Sequence, residues 1–563
     1  MKQQWDYETD YLVVGTGAAG LSAAITAKRN GLDTIVIEST DKWGGTTAIS
    51  GGGLWMPNNP LMRRDRAGDS FEEALEYMKQ TIGNVGPWTS EARMRAFLMG
   101  VDHYVNMMRD EGVRWTRAKA YPDYYPDLPG GRVGRGIESK PYNRRRLPKQ
   151  WRDTQRISIP APLLTSDMYL LTRAWSTPSG FLHGARFVLR MLGGFATGQL
   201  QGGIGVALTG AYMEIVLRHK TPVWLNAPLE DLVIEKGVVV GACVKKDGKT
   251  VRIRTTKGVM LGAGGFAANK EWRKKYHGVA GWTSAPEGQL GQGISIGEKA
   301  GGTLGMMDDA WWGGTAANTN GSETMHGFIL NERSDPWSIV VDQTGRRYMN
   351  ESESYVDFGH HMLERNKTTP AVPSWIIYDR RHTKSFLNST LMVPGAKKKL
   401  AEMGELVQAA TIEELGKNMG VDPAVFAETI ERFNEFAREG VDKDFGRGRT
   451  EYDRYYGSPA AKPNPNLGTI EKGPFIAHKI YPGDLGTKGG LVTDEWARVL
   501  RKDGSVIVGL YAAGNNTASV MGHTYPGPGS TIGPAGVFGY LGALHASQRT
   551  RPLDTINEVA SAK

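Results

Sequence analysis

The sequence predicts an α/β fold in which a discontinuous nucleotide-binding domain carries an inserted α+β domain. Three observations predict it. A buried apolar run enters a glycine turn and then a helix near the start of the chain. Two further strands entering glycine turns lie far away, at Gly258–Gly265 and Gly504–Asn515. Between these last two, from about 316 to 488, the punctuation changes to Pro336, Pro370, Pro373 and a Tyr- and Pro-rich stretch, Tyr452–Pro465.

Taken in order, Asp10–Val14 reads as a buried parallel strand, Gly15, Gly17 and Gly20 stand in GxGxxG spacing, and Leu21–Asn30 reads as a helix stopped by Gly31. The next strand, Thr34–Glu38, ends on an acid 18 residues beyond Gly20. This is the Rossmann-like order: the glycines, with Ala18 and Ala19 between them, admit a pyrophosphate to the helix N-terminus, and Glu38 is placed for ribose hydroxyls.

A second glycine-rich stretch, Lys42–Asn58, follows almost at once. It offers backbone N–H groups at Gly45, Gly51 and Gly52 and the hydroxyls of Thr46, Thr47 and Ser50 along an extended ligand. A nicotinamide cofactor has no evident use for it, whereas FAD does, because its flavin lies far from its adenine. Val238–Lys245 and Val251–Thr255 read as a hairpin, and the strand from Gly258 reaches a turn at Gly264. Near the other end come the turn at Gly514 and Asn515 and then Gly529–Gly536, opening a last helix whose positive N-terminal end would face the pyrimidine edge of a reduced flavin, with Ile532 among the cofactor-binding residues. The cofactor domain is therefore expected to comprise 1–315 and 489–563, with 316–488, including a charged helical region around Ala401–Glu439, as the inserted substrate domain and a cleft between them.

Composition narrows the function classes. Glycine makes up 73 of 563 residues, nearly twice the usual ~7%. The net charge of +9 is dilute for this length and does not suggest nucleic-acid binding. The single Cys243 excludes an intrachain disulfide and a Cys-based zinc site, and the eleven histidines, with the His360-His361 pair, show no metal-ligand spacing. No metal is expected. The first apolar run leads directly into the glycine turn, which reads as neither signal peptide nor membrane span and makes the cytoplasm the expected location.

The paired glycine motifs, Gly44–Gly53, Pro482–Thr487 and the Ala513-Gly-Asn turn resemble the fumarate reductase/succinate dehydrogenase flavoprotein superfamily, and within it the 3-ketosteroid Δ1-dehydrogenase family. The likeness covers nearly the whole chain apart from about 140–200. Its most specific parts are three tyrosine motifs. Tyr121-Pro-Asp-Tyr-Tyr-Pro126 places Tyr124 on the family's first active-site tyrosine, and Asn350–Tyr355 places Tyr355 on the tyrosine that takes a proton from the steroid. Thr524–Gly529 places Tyr525 and the backbone N–H of Gly529 on the pair that hydrogen-bonds the C3 carbonyl.

What the resemblance implies is 1,2-desaturation of 3-ketosteroids, a step in sterol ring A degradation. The C2 proton goes to Tyr355 with help from Tyr124, and the C1 hydride goes to flavin N5. A phenol with an ordinary pKa of about 10 must be depressed to act as a base near neutrality. An external electron acceptor, a quinone among the candidates, completes the cycle. Tyr125, Tyr348 and Tyr481 read as lining or packing. A Δ4-(5α)-dehydrogenase shares the carbonyl site and FAD and is the nearer alternative, with Tyr124 favouring Δ1 chemistry. A fumarate reductase is disfavoured because Gly486–Gly490 lacks a nearby histidine and tyrosines stand where a dicarboxylate needs charges. A flavin-bearing membrane adaptor without catalysis is the reading from another class.

That last reading is motivated by the extended segment. Asn143–Arg156 carries six cations against Asp153, and Ala161–Phe195 is rich in Leu, Phe, Trp and Met with few acids. Two readings stand: a helix lying on an anionic membrane through about 143–195, on its inner face, or a cover over the substrate cleft.

Overall fold

The structure is a computed structural model and describes residues 4–279, 281–322, 324–386, 391 and 393–549. The last fourteen residues of the expected second cofactor segment, 550–563, lie outside the described residues. Leu12, Val13 and Val14 are buried on both faces, as a parallel strand requires, and the first strand, Tyr7–Val14, sits at the centre of an eight-stranded sheet. It pairs in parallel with Thr34–Ile37 on one side and Lys249–Leu261 on the other. Lys249–Leu261 in turn pairs in parallel with Val506–Ala512, so the two ends of the chain share one sheet. The expected strands at Val251–Thr255 and Gly258–Leu261 are one continuous strand of 13 residues, because the pairing with Tyr7–Val14 absorbs the break as a register shift between Thr9 and Tyr11.

The first helix, Ala18–Arg29, starts three residues before the sequence suggests and packs against the last helix, Ile532–Ser547. Small residues permit the contact. A Cβ on Gly20 would lie 1.9 Å from the Gly15 carbonyl oxygen, and one on Gly539 would lie 2.4 Å from that of Ala19.

The second layer system is a six-stranded antiparallel sheet built around the 13-residue strand Phe475–Thr487. Alternate side chains serve two cores. Ile339, Val341, Trp375 and Ile377 pack under the helices Ile412–Met419 and Pro423–Glu439, while Val340, Ile376 and Ile480 pack against Phe358 and Met362. The latter two belong to the helix Tyr355–Arg365. The expected charged helical region resolves into three helices, the first being Ala396–Glu402, and an interposed strand, Leu406–Ala409. Strand Ala310–Ala316 also belongs to this sheet, so the sheet begins before residue 316.

A small third sheet pairs Gly53–Trp55 with Gly136–Ser139 and Trp115–Arg117. The extended segment forms the helices Thr165–Leu171 and Pro178–Ala196, held together by Asp167, which pairs with His183 at 3.0 Å and Arg190 at 3.3 Å. No helix among the described residues is long and apolar enough to cross a membrane.

Candidate active site

The three tyrosines singled out by the sequence meet. Tyr124, Tyr355 and Tyr525 come from a loop, a helix start and the turn before the last helix, and are 5%, 4% and 3% exposed. Tyr124 contacts Tyr355 edge to face at 5.3 Å between ring centroids, and Tyr355 lies 4.7 Å from Tyr525. Three backbone contacts fix the arrangement: the Tyr124 N–H donates to the Pro526 carbonyl at 2.9 Å, the Tyr77 hydroxyl donates to the same oxygen at 2.6 Å, and the Tyr125 N–H donates to the Tyr77 hydroxyl at 3.2 Å.

Gly529 has φ +96°, and a Cβ there would lie 2.3 Å from the Gly53 carbonyl oxygen, so only glycine fits. Burial pushes the Tyr525 phenol above its ordinary value, and the Gly529 N–H, close to the phenol oxygen, opposes the rise. A phenol and an amide N–H thus lie side by side at a buried place, and such a pair of donors is what an oxyanion requires.

Tyr355 differs from the expectation of a depressed phenol. Burial, and then the proximity of Tyr525, push it well above the ordinary value, with the hydrogen bond of Tyr124 opposing the rise. One feature favours its ionisation when demanded: it is the first residue of the helix Tyr355–Arg365, at the positive end of the dipole.

The tyrosine set is larger than the sequence reading. The Tyr121 hydroxyl bonds those of Tyr124, at 3.2 Å, and Tyr456, and Tyr452 lies 4.4 Å from Tyr124. Tyr121 is in the same motif as Tyr124, but nothing in its spacing marks it. Tyr455, sandwiched between Tyr121 at 4.5 Å and Tyr169 at 4.2 Å, connects the site to the extended segment. Tyr125 donates to Asp357 at 3.2 Å, Tyr348 shares a hydrogen bond with Ser374, and Tyr481 donates to Glu405. Lys488, the cation of the Gly486–Gly490 stretch, is bonded to Asp309 and to the Thr524 carbonyl.

Several of the expected cofactor residues approach one another across the chain. Gly15 has φ +99° and lies against Gly262, where a Cβ would come within 2.5 Å of the carbonyl oxygen. Gly17, Gly45, Thr46, Thr47 and Ser50 are half-buried, and Gly51 is exposed. Thr47 Oγ1 accepts from the Ala18 N–H at 3.0 Å, marking the first helix's N–H groups as donors to an oxygen ligand. Gly45 approaches Gly17, Gly52 packs on Ile204, and Gly514 faces Ala19. Glu38 accepts from Thr16 Oγ1 at 2.6 Å through Oε2 and from the Thr40 N–H at 3.2 Å through Oε1, which holds the carboxylate at the strand end. Gly264 is half-buried beside Gln289, and Asn515 Oδ1 accepts from the indole of Trp311, which in turn contacts Tyr525. Ile532 opens the last helix. The backbone N–H groups, hydroxyls and acid of these glycine-rich turns are donors and acceptors of the kinds that FAD needs. No group of three or more potential metal ligands occurs among the described residues.

Comparison with known proteins agrees. The FAD binding domain family matches residues 10–532. The 3-oxosteroid 1-dehydrogenase of Mycolicibacterium smegmatis is 42% identical over 559 residues, covering 95% of this chain and 97% of that protein. Among solved structures, the 3-ketosteroid Δ1-dehydrogenase of Sterolibacterium denitrificans, in complex with 1,4-androstadiene-3,17-dione, superposes with a TM-score of 0.89 at 34% identity, covering 96% of this chain and 99% of that one. The 3-ketosteroid Δ4-(5α)-dehydrogenase of Rhodococcus jostii shares the fold at a TM-score of 0.66 and 22% identity, covering 98% of this chain and 99% of that one. The chain belongs to the FAD-binding flavoprotein family and, within it, to the 3-oxosteroid 1-dehydrogenases.

Proposed function

We propose that this chain desaturates 3-ketosteroids between C1 and C2, and that the convergence of Tyr124, Tyr355, Tyr525 and Gly529 at one buried point carries the chemistry. Tyr525 and the Gly529 N–H hold the C3 ketone and stabilise the charge that develops on its oxygen, which makes the neighbouring C2 proton acidic. Tyr355 takes that proton. It does so as the tyrosinate: its own proton leaves to solvent before the C2–H breaks, the cost set by its raised pKa, and the C2 proton then restores the neutral phenol while Tyr124 supports the phenolate charge by hydrogen bonding. Bound FAD supplies the two-electron acceptor for the C1 hydride. Tyr124 favours this reaction over Δ4-(5α) desaturation.

The test is anaerobic mixing of the purified flavoprotein with a 4-ene-3-ketosteroid. Bleaching of the flavin band, with a product lacking two hydrogens at C1 and C2, is the expected result. A new double bond at C4 in a saturated substrate, with none at C1, would assign the chain to the alternative reaction.

The same reading includes a peripheral membrane contact through about 143–195. Its support is the outer face of Pro178–Ala196 and the turn before it, where Trp175 and Phe195 are each 71% exposed and Phe181, Leu182, Val188, Leu189 and Leu192 also face solvent. Arg145, Lys149 and Arg186 add exposed charge, whereas Arg144 is internal, bonded to Gln155 at 2.8 Å and the Arg152 carbonyl at 2.7 Å. A bilayer surface would bring both a poorly soluble steroid and a quinone-type electron acceptor to the protein.

A further inference from the structure

Behind the ketone site lies a fully buried ammonium. Lys488 directly follows the long strand Phe475–Thr487, and its side chain is 0% exposed. Its Nζ donates to the carbonyl of Thr524, the residue before Tyr525, at 3.1 Å and to Asp309 Oδ2 at 3.3 Å. It also sits 4.8 Å above the Trp311 ring, and Trp311 meets Tyr525 edge to face at 5.3 Å. Both the backbone before Tyr525 and one wall of its ring are therefore held by the same cation.

Packing alone does not account for a charge here. A buried ion pair is often replaced by apolar side chains of similar volume at little cost in stability, because desolvation cancels most of the attraction. A buried cation does act, however, on charge that develops nearby in a site of low dielectric constant. Asp309 is arranged so as not to cancel it. Its Oδ1 accepts from Trp312 Nε1 and from the Ala310 N–H and faces His360 Nε2, all at 2.8 Å, and its Oδ2 faces His523 Nδ1 at 2.9 Å, so with Lys488 the carboxylate charge is shared among five neighbours. His360 rides on the helix that Tyr355 begins, and His523 lies two residues before Tyr525, so the cluster joins the elements that carry the proton acceptor and the ketone donor.

We infer that Lys488, clamped by Asp309, is a positioning residue of the ketone site that aligns Tyr525 through Thr524 and Trp311 and stabilises the enolate oxygen as it forms. This rests on the assignment of Tyr525 as donor to the ketone. The charged and titratable groups facing the cluster are Asp357 toward Lys488, Asp308 toward His523, and His277 toward Asp309, with Arg273 behind His277 and paired to Asp484. Burial opposes ionisation of Asp309, but Lys488 and the two imidazoles outweigh it and hold the carboxyl well below its usual range. The hydrogen bond to Asp309 raises His523, keeping that exposed imidazole cationic to higher pH.

The test compares holoenzyme with the Lys488→Met and Lys488→Arg variants. Two readouts are taken: the pH profile of anaerobic flavin bleaching by a 4-ene-3-ketosteroid, and the acidity of a bound steroid whose aromatic A ring carries a 3-hydroxyl, an enolate mimic. Lys488→Met is expected to keep FAD and to bind steroid within about threefold of the parent, to bleach about tenfold more slowly or worse, and to raise the bound phenol by about one pKa unit, a tenfold change. Lys488→Arg restores much of both. Parental bleaching and an unchanged phenol in Lys488→Met would overturn the inference. Should that variant lose its flavin, the parent alone decides, because a bound phenol no more acidic than the free one also overturns it. A parent that bleaches with no 3-ketosteroid refutes the proposed reaction instead, and the phenol titration still reports on Lys488.

Discussion

Tyr124 stacks on Tyr525 at 5.1 Å with an interplanar angle of 17°, and the backbone N–H of Tyr124 donates to the carbonyl of the residue after Tyr525. Residues 401 positions apart in the chain are thereby locked as a unit, and Tyr355 closes against both rings. The ketone donor cannot move without moving the residue that supports the proton acceptor.

Removing the Tyr355 hydroxyl isolates proton abstraction. Tyr355→Phe is expected to lower the rate of anaerobic bleaching by about a hundredfold or more while leaving the flavin spectrum and FAD content unchanged. A variant that bleaches at the parental rate would remove Tyr355 from the role.

Gly529 offers a backbone test of the carbonyl site. At φ +96° with Gly53 behind it, alanine forces the turn outward and misplaces the N–H. Gly529→Ala should bind steroid more weakly and turn over at least tenfold more slowly, read by spectral titration and stopped flow.

The expected cofactor site is tested at its first glycine turn. Gly15→Val drives two methyl groups into the Gly262 carbonyl and is expected to yield colourless protein, with FAD content measured after heat release.

Glu138 makes stability depend on pH. It is buried on strand Gly136–Ser139 and accepts from the Thr165 N–H at 2.6 Å and the Ser166 side chain and N–H, tethering the extended segment to the sheet that includes Gly53. Burial is the largest effect and raises its pKa to about 7. Because the folded protein holds this proton more tightly than the unfolded chain, its contribution is complete below the ordinary carboxylate value and is lost as pH rises toward about 7. Over that window the parent should lose thermal stability more steeply than Glu138→Gln, as melting curves at a series of pH values would show.

The exposed apolar helix face predicts vesicle binding. Replacing Leu189, Leu192 and Phe195 together by Glu should abolish cosedimentation with anionic vesicles and leave turnover of a detergent-dispersed steroid within about twofold of the parent. Equal sedimentation of both proteins would favour the reading in which the segment only covers the cleft.

Much of this was legible in the sequence because the signals are local. The GxGxxG turn, the acid at the end of Thr34–Glu38 and the glycine stop at Gly31 each carry their own stereochemistry. What was not legible depends on distant partners. The fusion of two expected strands into Lys249–Leu261 follows from pairing with a strand more than two hundred residues away. Lys488 reads as an ordinary surface cation until the fold brings Asp309 to it. The upward shift of Tyr355 comes from burial that no motif records.

The residues expected to hold FAD come from 15–52, from Gly264 and from 514–532, and strands near both ends of the chain share the central sheet. On that reading FAD binds late in folding and adds its binding free energy to the assembled fold alone. The flavin would act as a staple across the two chain ends. Its loss should loosen the central sheet at the seam between Lys249–Leu261 and Val506–Ala512 first, where only three residue pairs are in register.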